Sequence, residues 1–417
     1  MTWSVWFVPA QPNHVAKFKP LKDAMRGRGC EIHTLCVDVA IPPRKWIEPM
    51  LRAAEEPFEM FPSCGFRPFE RWPLEYVQRP RLNRAVQAWL GSHEVSLFVF
   101  GTDTPIVTRE FIKEARNRRI PRVHVHDGLC GGPNPRLKKS VLTRAHESVS
   151  DWLTRVTDMR PPRGERSADL FFVMDASSPP TLLRQGVPPD RIKVVGSAQY
   201  DAMARQTRVL ATEEELARWR RTIGVKAGRP LILYAHQHIT RTSEVKEVIR
   251  TMVRAVRRFN GTLLVKFHPS TGGSVDAWRR WAADEGMAPE EVVFFMKELL
   301  SVEAIQMCAA CVTAYSTVAL EAMLCRTPLV IVQYLHVPVS LTYGERYGIL
   351  AAFTPQQLED HLVSVVTDPE VRSAAVQRGR DCISGELVGL DGRSAERMAD
   401  EMMALIHRYN ETDAPGC

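Results

Sequence analysis

The 417-residue chain has no long apolar run, no cysteine framework and no low-complexity tract. Its most apolar stretch, Thr327 to Val339, is interrupted by Gln333 and His336 and is too short to span a bilayer, so any membrane contact is expected to be peripheral. Met1 to Pro9 carries no basic segment ahead of its apolar residues, and these stop at Pro9; a strand is expected there rather than a signal peptide. The nine cysteines are scattered and odd in number, which argues against a disulfide scaffold and for reduced thiols in a cytoplasm. Cys308-Ala-Ala-Cys311 has redox or zinc spacing, but no second such pair accompanies it, so it reads as small buried apolar residues. No nucleic-acid-binding motif is present.

What is present is the composition of a soluble globular protein, 45% hydrophobic and 25% charged. The length exceeds that of one ordinary core, so two domains are expected. A net charge of +7 suits phosphate-bearing ligands, an anionic membrane surface or nucleic acid without selecting among them.

Two α/β patterns follow one another. The first opens with the strand Val5-Trp6-Phe7-Val8, a helical spacing at Val15, Phe18, Leu21 and Met25, and the strand Glu31 to Val37. This βαβ opening implies a parallel sheet covered by helices. After an irregular stretch to about Pro80 the pattern resumes with strands Ser96–Phe100, Pro121–Val125, Asp169–Met174 and Arg191–Val195. A helical connector, Gln199 to Ile223, leads to a second set: Leu231–Tyr234, Thr262–Phe267, Val292–Phe295, Cys311–Thr313 and Leu329–Val332. The expected division is residues 1–198, a connector 199–228, a second domain 229–380 and a helical tail 381–417. Two doubly wound Rossmann-like halves facing a shared cleft are the predicted fold, with ligands beyond the carboxyl ends of the strands.

Polar residues just after strands are therefore the site candidates. Val312-Thr313-Ala314-Tyr315-Ser316-Thr317-Val318-Ala319-Leu320-Glu321 is a strand, two hydroxyl residues and a helix start, with an acid one turn in. Hydroxyls and a helix N-terminus suit a diphosphate, and Glu321 suits the hydroxyls of a ribose; an ordinary helix cap is the structural alternative. His268 after one strand, and His236 and His238 after another, are phosphate or base candidates; a metal at the latter pair lacks an evident third ligand. Lys266 precedes His268 and alternates with its neighbours toward the other face. In the first half Asp103, His126 and Asp127 follow strands and are candidates for a general base, as is His14 near the start of the first helix. Gly196 closes the last strand of that half. Arg136, Lys138 and Lys139 open a basic segment, read as a solvated face or as a docking surface for an anionic acceptor such as a glycan, a lipid headgroup or nucleic acid.

Together these residues resemble the GT-B superfamily of sugar-nucleotide enzymes. Gly101-Thr102-Asp103-Thr104, Val123-His124-Val125-His126-Asp127-Gly128-Leu129 and Leu183-Arg184-Gln185-Gly186-Val187 through Val195-Gly196-Ser197 are similar to the non-hydrolysing UDP-N-acetylglucosamine 2-epimerases. The second half departs from them: Ser316-Thr317-Val318 stands where that family has Ser-Gly-Gly, and His126 stands at the position of an acid. Lys266-Phe267-His268-Pro269 and Ser316 to Ala322 resemble instead surface-polysaccharide and capsule glycosyltransferases. The resemblance implies Ser316, Thr317, His236, His238, His268 and Gly196 at a nucleotide-sugar, UDP foremost, and Glu321 at its ribose. A metal-independent cytoplasmic glycosyltransferase is the expected activity, in keeping with the lack of a DxD-type ligand set. A 2-epimerase-like isomerase or hydrolase is the alternative, and a transferase acting on nucleic acid or another polyanion a further one. The reading leaves room for a homodimer.

Overall fold

A computed structural model describes residues 2–37, 47–62, 74–102, 105–126, 132–133, 167–207, 212–236, 241–267, 274–296, 302–337 and 339–413. The chain forms two compact units, the first of residues 1–128, 140–201 and 388–417, the second of 129–139 and 202–387. The segment that sequence reading sets apart as a tail is thus divided, and residues 388–417 belong with the first unit.

The first unit holds β1 (Ser4–Val8), β2 (Glu31–Cys36), β3 (Glu59–Met60), β4 (Leu97–Phe100) and β5 (Arg122–Val125). The short β6 (Gly132–Pro133) belongs to the second unit; β7 (Leu170–Val173) and β8 (Ile192–Val194) return to the first. These make a parallel seven-stranded sheet in the order β3-β2-β1-β4-β5-β7-β8. Period-two alternation explains why it is covered on both faces. Trp6, Val8, Phe98, Phe100 and Phe171 turn to one core with Phe111 of the helix Ile106–Asn117. Val5, Phe7, Leu97, Val99 and Phe172 turn to the other, with Phe18 and Met25 of the helix Pro12–Arg26 and Met402 and Ile406 of the helix Ser394–Asp413.

Gly196 is the seat of that last helix. It has φ 85°, and a Cβ there would lie 2.4 Å from the Val388 carbonyl oxygen and 2.5 Å from Ser394 Oγ. Around it, Ser394 N–H donates to Asp201 Oδ2 (2.8 Å) and Arg397 Nε donates to the Val195 carbonyl (3.0 Å).

The second unit contains β9 (Leu231–Ala235), β10 (Thr262–Phe267), β11 (Val292–Met296), β12 (Ala310–Thr313), β13 (Leu329–Val332), β14 (Val339–Ser340) and β15 (Leu350–Ala352). Six of these form a parallel sheet, β11-β10-β9-β12-β13-β15, while β14 pairs antiparallel with β6. One face buries Ile232, Tyr234, Leu263, Val265 and Val312 beneath the helices Thr242–Arg258 and Pro355–Thr367. The helical connector expected from sequence contains two helices, Ala198–Gln206 and Glu213–Thr222. The second begins at a capping box in which Thr212 N–H donates to Glu215 Oε2 (2.8 Å) and Glu215 N–H to Thr212 Oγ1 (3.3 Å). Among the described residues no helix is long and apolar enough to cross a membrane.

Candidate functional site

The two units carry different chemistry at the carboxyl ends of their strands. In the first, the ends of β1, β4 and β5 gather histidines. His14, in the first turn of the helix that follows β1, is buried, and Ala10 N–H donates to its Nδ1 (3.1 Å). Because Nδ1 accepts, the proton of the neutral ring sits on Nε2. The ring lies on Gly101 at the end of β4: a Cβ there would come within 2.4 Å of His14 Cε1, 2.6 Å of Nδ1 and 2.7 Å of Nε2. Only glycine leaves that space.

On the other side of this glycine, the Gly101 carbonyl is 3.2 Å from Nε2 of His124, a buried residue of β5 stacked on Phe100 at 4.9 Å. His126 follows, half-buried, its ring 5.7 Å from that of His124 and its N–H donating to the Phe172 carbonyl (2.8 Å). It borders, with Lys17, Phe172, Ser197 and Met398, a cavity of about 20 Å³, room for one water molecule. His124 was passed over in the sequence because it sits inside an apolar strand; only the pairing of β4 with β5 reveals it beside Gly101. Asp175, after β7, is a different case. It is fully buried and accepts from the backbone and hydroxyl of both Ser177 and Ser178 at 2.7–2.9 Å, so it caps the next helix. Asp103 and Asp127 lie outside the described residues, as do Arg136, Lys138 and Lys139.

In the second unit β12 ends at Thr313, whose hydroxyl donates to the Ala235 carbonyl at the end of β9 (3.1 Å). The half-buried Tyr315, Ser316 and Thr317 follow, and the helix Val318–Leu324 starts beneath them. Thr317 occupies the cap position without a side-chain capping bond. The turn satisfies its own amides: Val318 N–H donates to Ser316 Oγ (3.3 Å), Ala319 N–H to the Ser316 carbonyl (3.0 Å) and Leu320 N–H to the Thr317 carbonyl (2.9 Å). These bonds engage the amides of Val318, Ala319 and Leu320 within the turn, and the hydroxyls of Ser316 and Thr317 stand beside them. Ser316 Oγ accepts from Val318 and keeps its own O–H to donate. Burial pushes the Tyr315 hydroxyl up to about 12, so it stays protonated and can donate a hydrogen bond at neutral pH.

Glu321 is half-buried one turn into the helix. Lys266, in β10, feels its charge: burial lowers the ammonium's affinity for its proton, while Glu321 and the Cys311 thiol raise it. His236 is 6% exposed, edge-on to Phe267 at 5.2 Å, and its backbone N–H donates to the Lys266 carbonyl (2.9 Å). His238 and His268 lie outside the described residues. The structure thus brings Ser316, Thr317, Glu321 and His236 to one sheet edge in the second unit, and His14 and His126 to one edge in the first. Gly196 is occupied by the chain's own residues 388–397.

Compared with known proteins, the chain matches the profile of the family described as UDP-N-acetylglucosamine 2-epimerase over residues 165–375, just over half of its length. No curated protein matches. Among solved structures, the Methanocaldococcus jannaschii UDP-GlcNAc 2-epimerase in complex with UDP-GlcNAc and UDP is similar with a TM-score of 0.63 at 13% identity, over 96% of this chain and 99% of that one. The Neisseria meningitidis UDP-GlcNAc 2-epimerase bound to UDP-GlcNAc gives 0.63 at 12%, over 96% and 100%. S. aureus MnaA with UDP gives 0.63 at 15%, over 98% and 97%. At such identities the likeness shows the fold, two Rossmann-like α/β domains.

The expected glycosyltransferase is corrected by these findings. The epimerase profile runs through the segment containing Ser316, Thr317 and Glu321, on which the transferase reading rested. That turn misled for a physical reason. Hydroxyls and an acid at a strand end suit the nucleotide half of a ligand, and they carry no information about the reaction at the sugar.

Proposed function

The chain belongs to the UDP-N-acetylglucosamine 2-epimerase family, and from this we propose that it acts on a UDP-linked N-acetylhexosamine at carbon 2 of the sugar. The family match across the nucleotide turn carries the reading. In the second unit Ser316 and Thr317 donate to the diphosphate and Glu321 accepts from the ribose, with His236 behind them; His238 and His268 are further phosphate candidates. In the first unit the imidazoles of His14 and His126 are the acid–base groups, together with the carboxylates of Asp103 and Asp127.

The chemistry balances as an elimination and a return. A base takes the proton from carbon 2, the carbon 1–oxygen bond breaks, and UDP leaves with that electron pair as a carbon 1–carbon 2 double bond forms. Return of the proton to the opposite face and of the diphosphate oxygen to carbon 1 gives the epimer. Charge builds on the leaving diphosphate, where donors such as the Ser316 and Thr317 hydroxyls lower the barrier.

One observation favours a hydrolysing form as the second reading. His126 occupies the position at which the family resemblance places an acid, so the group that hands a proton back differs in kind. In that form water adds at carbon 1, giving UDP and a free sugar. Incubation with UDP-N-acetylglucosamine in deuterium oxide, followed by proton NMR, separates the outcomes. Epimerisation gives the UDP-linked epimer with deuterium at carbon 2; hydrolysis gives UDP and free sugar in equal amounts. Substrate recovered unchanged, with no deuterium, defeats both.

A further inference from the structure

Gly101 is held from both faces of the first sheet. Strand alternation puts residue 101 on the face of Leu97 and Val99, which share a core with Phe18 of the helix Pro12–Arg26. His14 belongs to that helix, and its ring takes the place of the missing side chain, 2.4 Å from where a Cβ would stand. His124 comes from the other face. Register sets it between Phe100 of β4 and Phe171 of β7, and both phenylalanines belong to the opposite core. The imidazole stacks on Phe100 at 4.9 Å and meets Phe171 edge-on at 5.6 Å. A buried imidazole among phenylalanines costs free energy unless its polar atoms are bonded. Its Nε2 lies 3.2 Å from the Gly101 carbonyl; a carbonyl only accepts, so Nε2 carries a proton and donates. Glycine has no side chain to restrict its backbone, so the orientation of this peptide depends on what holds the carbonyl.

We propose that His124 is a positioning residue: by holding the Gly101 carbonyl from one face of the sheet it fixes the backbone on which the His14 ring lies at the other, and so sets the orientation of His14 for proton transfer. The part played by His14 rests on the function proposed above; the seat built by Gly101 and His124 does not. Ala10 N–H still donates to His14 Nδ1 when the bond from His124 is cut, so the contribution of that one bond can be measured against it.

Steady-state turnover of UDP-N-acetylglucosamine by the full chain tests this. His124→Phe keeps a ring on Phe100 and removes the donor. Its kcat is expected to fall about ten-fold, with KM and UDP affinity within about three-fold of the parent, because orientation and not binding is lost. A phenylalanine suits the aromatic surroundings, so the Tm should stay within about 4 °C. His124→Gln carries an amide N–H to the same carbonyl and is expected to bring kcat back to within about three-fold. Parental kcat in His124→Phe, a loss that follows the Tm, or no recovery in His124→Gln overturns the proposal. Should the phenylalanine variant not fold, His124→Leu is held to the same criteria.

If the parent protein does not turn over the UDP-sugar, the functional reading fails, and the seat of His14 is decided by itself. Nitrogen-15 NMR of the histidine-labelled free protein, with the His14 ring assigned through His14→Gln, must then show the His14 ring signals moving in His124→Phe and returning in His124→Gln. Unmoved His14 signals overturn the proposal.

Discussion

The two units end their strands in opposite ways. In the first, rings are packed onto backbone: His14 lies on Gly101 with no space for a methyl group, and His124 is wedged between Phe100 and the Gly101 carbonyl. In the second, Ser316, Thr317, Glu321 and Lys266 are half-buried, and the turn satisfies its own amides. On the function proposed above, the difference separates two tasks. Groups that move protons need fixed geometry, and close packing supplies it. Groups that grip a phosphate and a ribose need exposed donors and acceptors, which tolerate looser packing. Substitutions at the first edge should therefore damage rate and stability together, and those at the second should damage affinity alone.

The largest effect is expected from Gly101→Ala. A methyl group would meet the His14 ring at 2.4 Å, so ring or backbone must move. We expect turnover of the UDP-sugar to fall about a hundred-fold and stability to fall by about 1–3 kcal/mol, measured by product formation and urea unfolding. Normal turnover in this variant would break the contrast, since His14 would then not depend on its seat. Gly196→Ala comes next. Its left-handed backbone (φ 85°) and the Val388 carbonyl at 2.4 Å from the new Cβ predict a loss of about 2 kcal/mol and faster amide exchange in residues 394–413. UDP affinity, assigned by the proposal to the second unit, should hold. A fall in affinity matching the fall in stability would show that the two units do not behave separately.

Much of the fold was legible in the sequence because parallel strands buried on both faces read as unbroken apolar runs: Leu97–Phe100, Leu170–Val173 and Leu329–Val332 stand out in this way. The helix Leu74–Ser92 was passed over because Pro80 and its arginines disguise it, and β15, three residues long, is too short to announce itself. Of the candidate site, the Ser316-to-Glu321 turn was legible because it is local. The seat of His14 was not, since Gly101 lies 87 positions away and meets it only because β1 pairs with β4. The reaction type was misread for the same reason: a local turn of hydroxyls and an acid suits a nucleotide, and it carries no information about the chemistry at the sugar.

A third prediction addresses the second edge directly. Glu321→Gln keeps the shape of the side chain and removes its charge. UDP affinity should fall about ten-fold, the cost of a charge-assisted hydrogen bond made neutral, with little change in unfolding. Destabilisation comparable to that of Gly101→Ala would mean that Glu321 holds the fold rather than a ligand.

The smallest effect is the control that makes this comparison interpretable. Thr212→Ala removes the hydroxyl half of the capping box of the helix Glu213–Thr222, an exposed device in the same unit as Glu321, and keeps the backbone bond to Glu215. Loss of a threonine cap should lower the Tm by about 2–4 °C. Hydrogen bonds from the Thr212 backbone and hydroxyl hold the Glu215 carboxyl below its usual value. A carboxyl lowered in the folded state contributes stability above its unfolded value and loses it as pH falls through the folded one. The gap in Tm between parent and variant should therefore narrow in acid, as thermal unfolding followed by circular dichroism would show. UDP affinity should be untouched. If Thr212→Ala weakened UDP binding as much as Glu321→Gln, affinity in the second unit would be following its overall stability. The ribose contact assigned to Glu321, and with it the separation of grip from proton transfer, would then be lost.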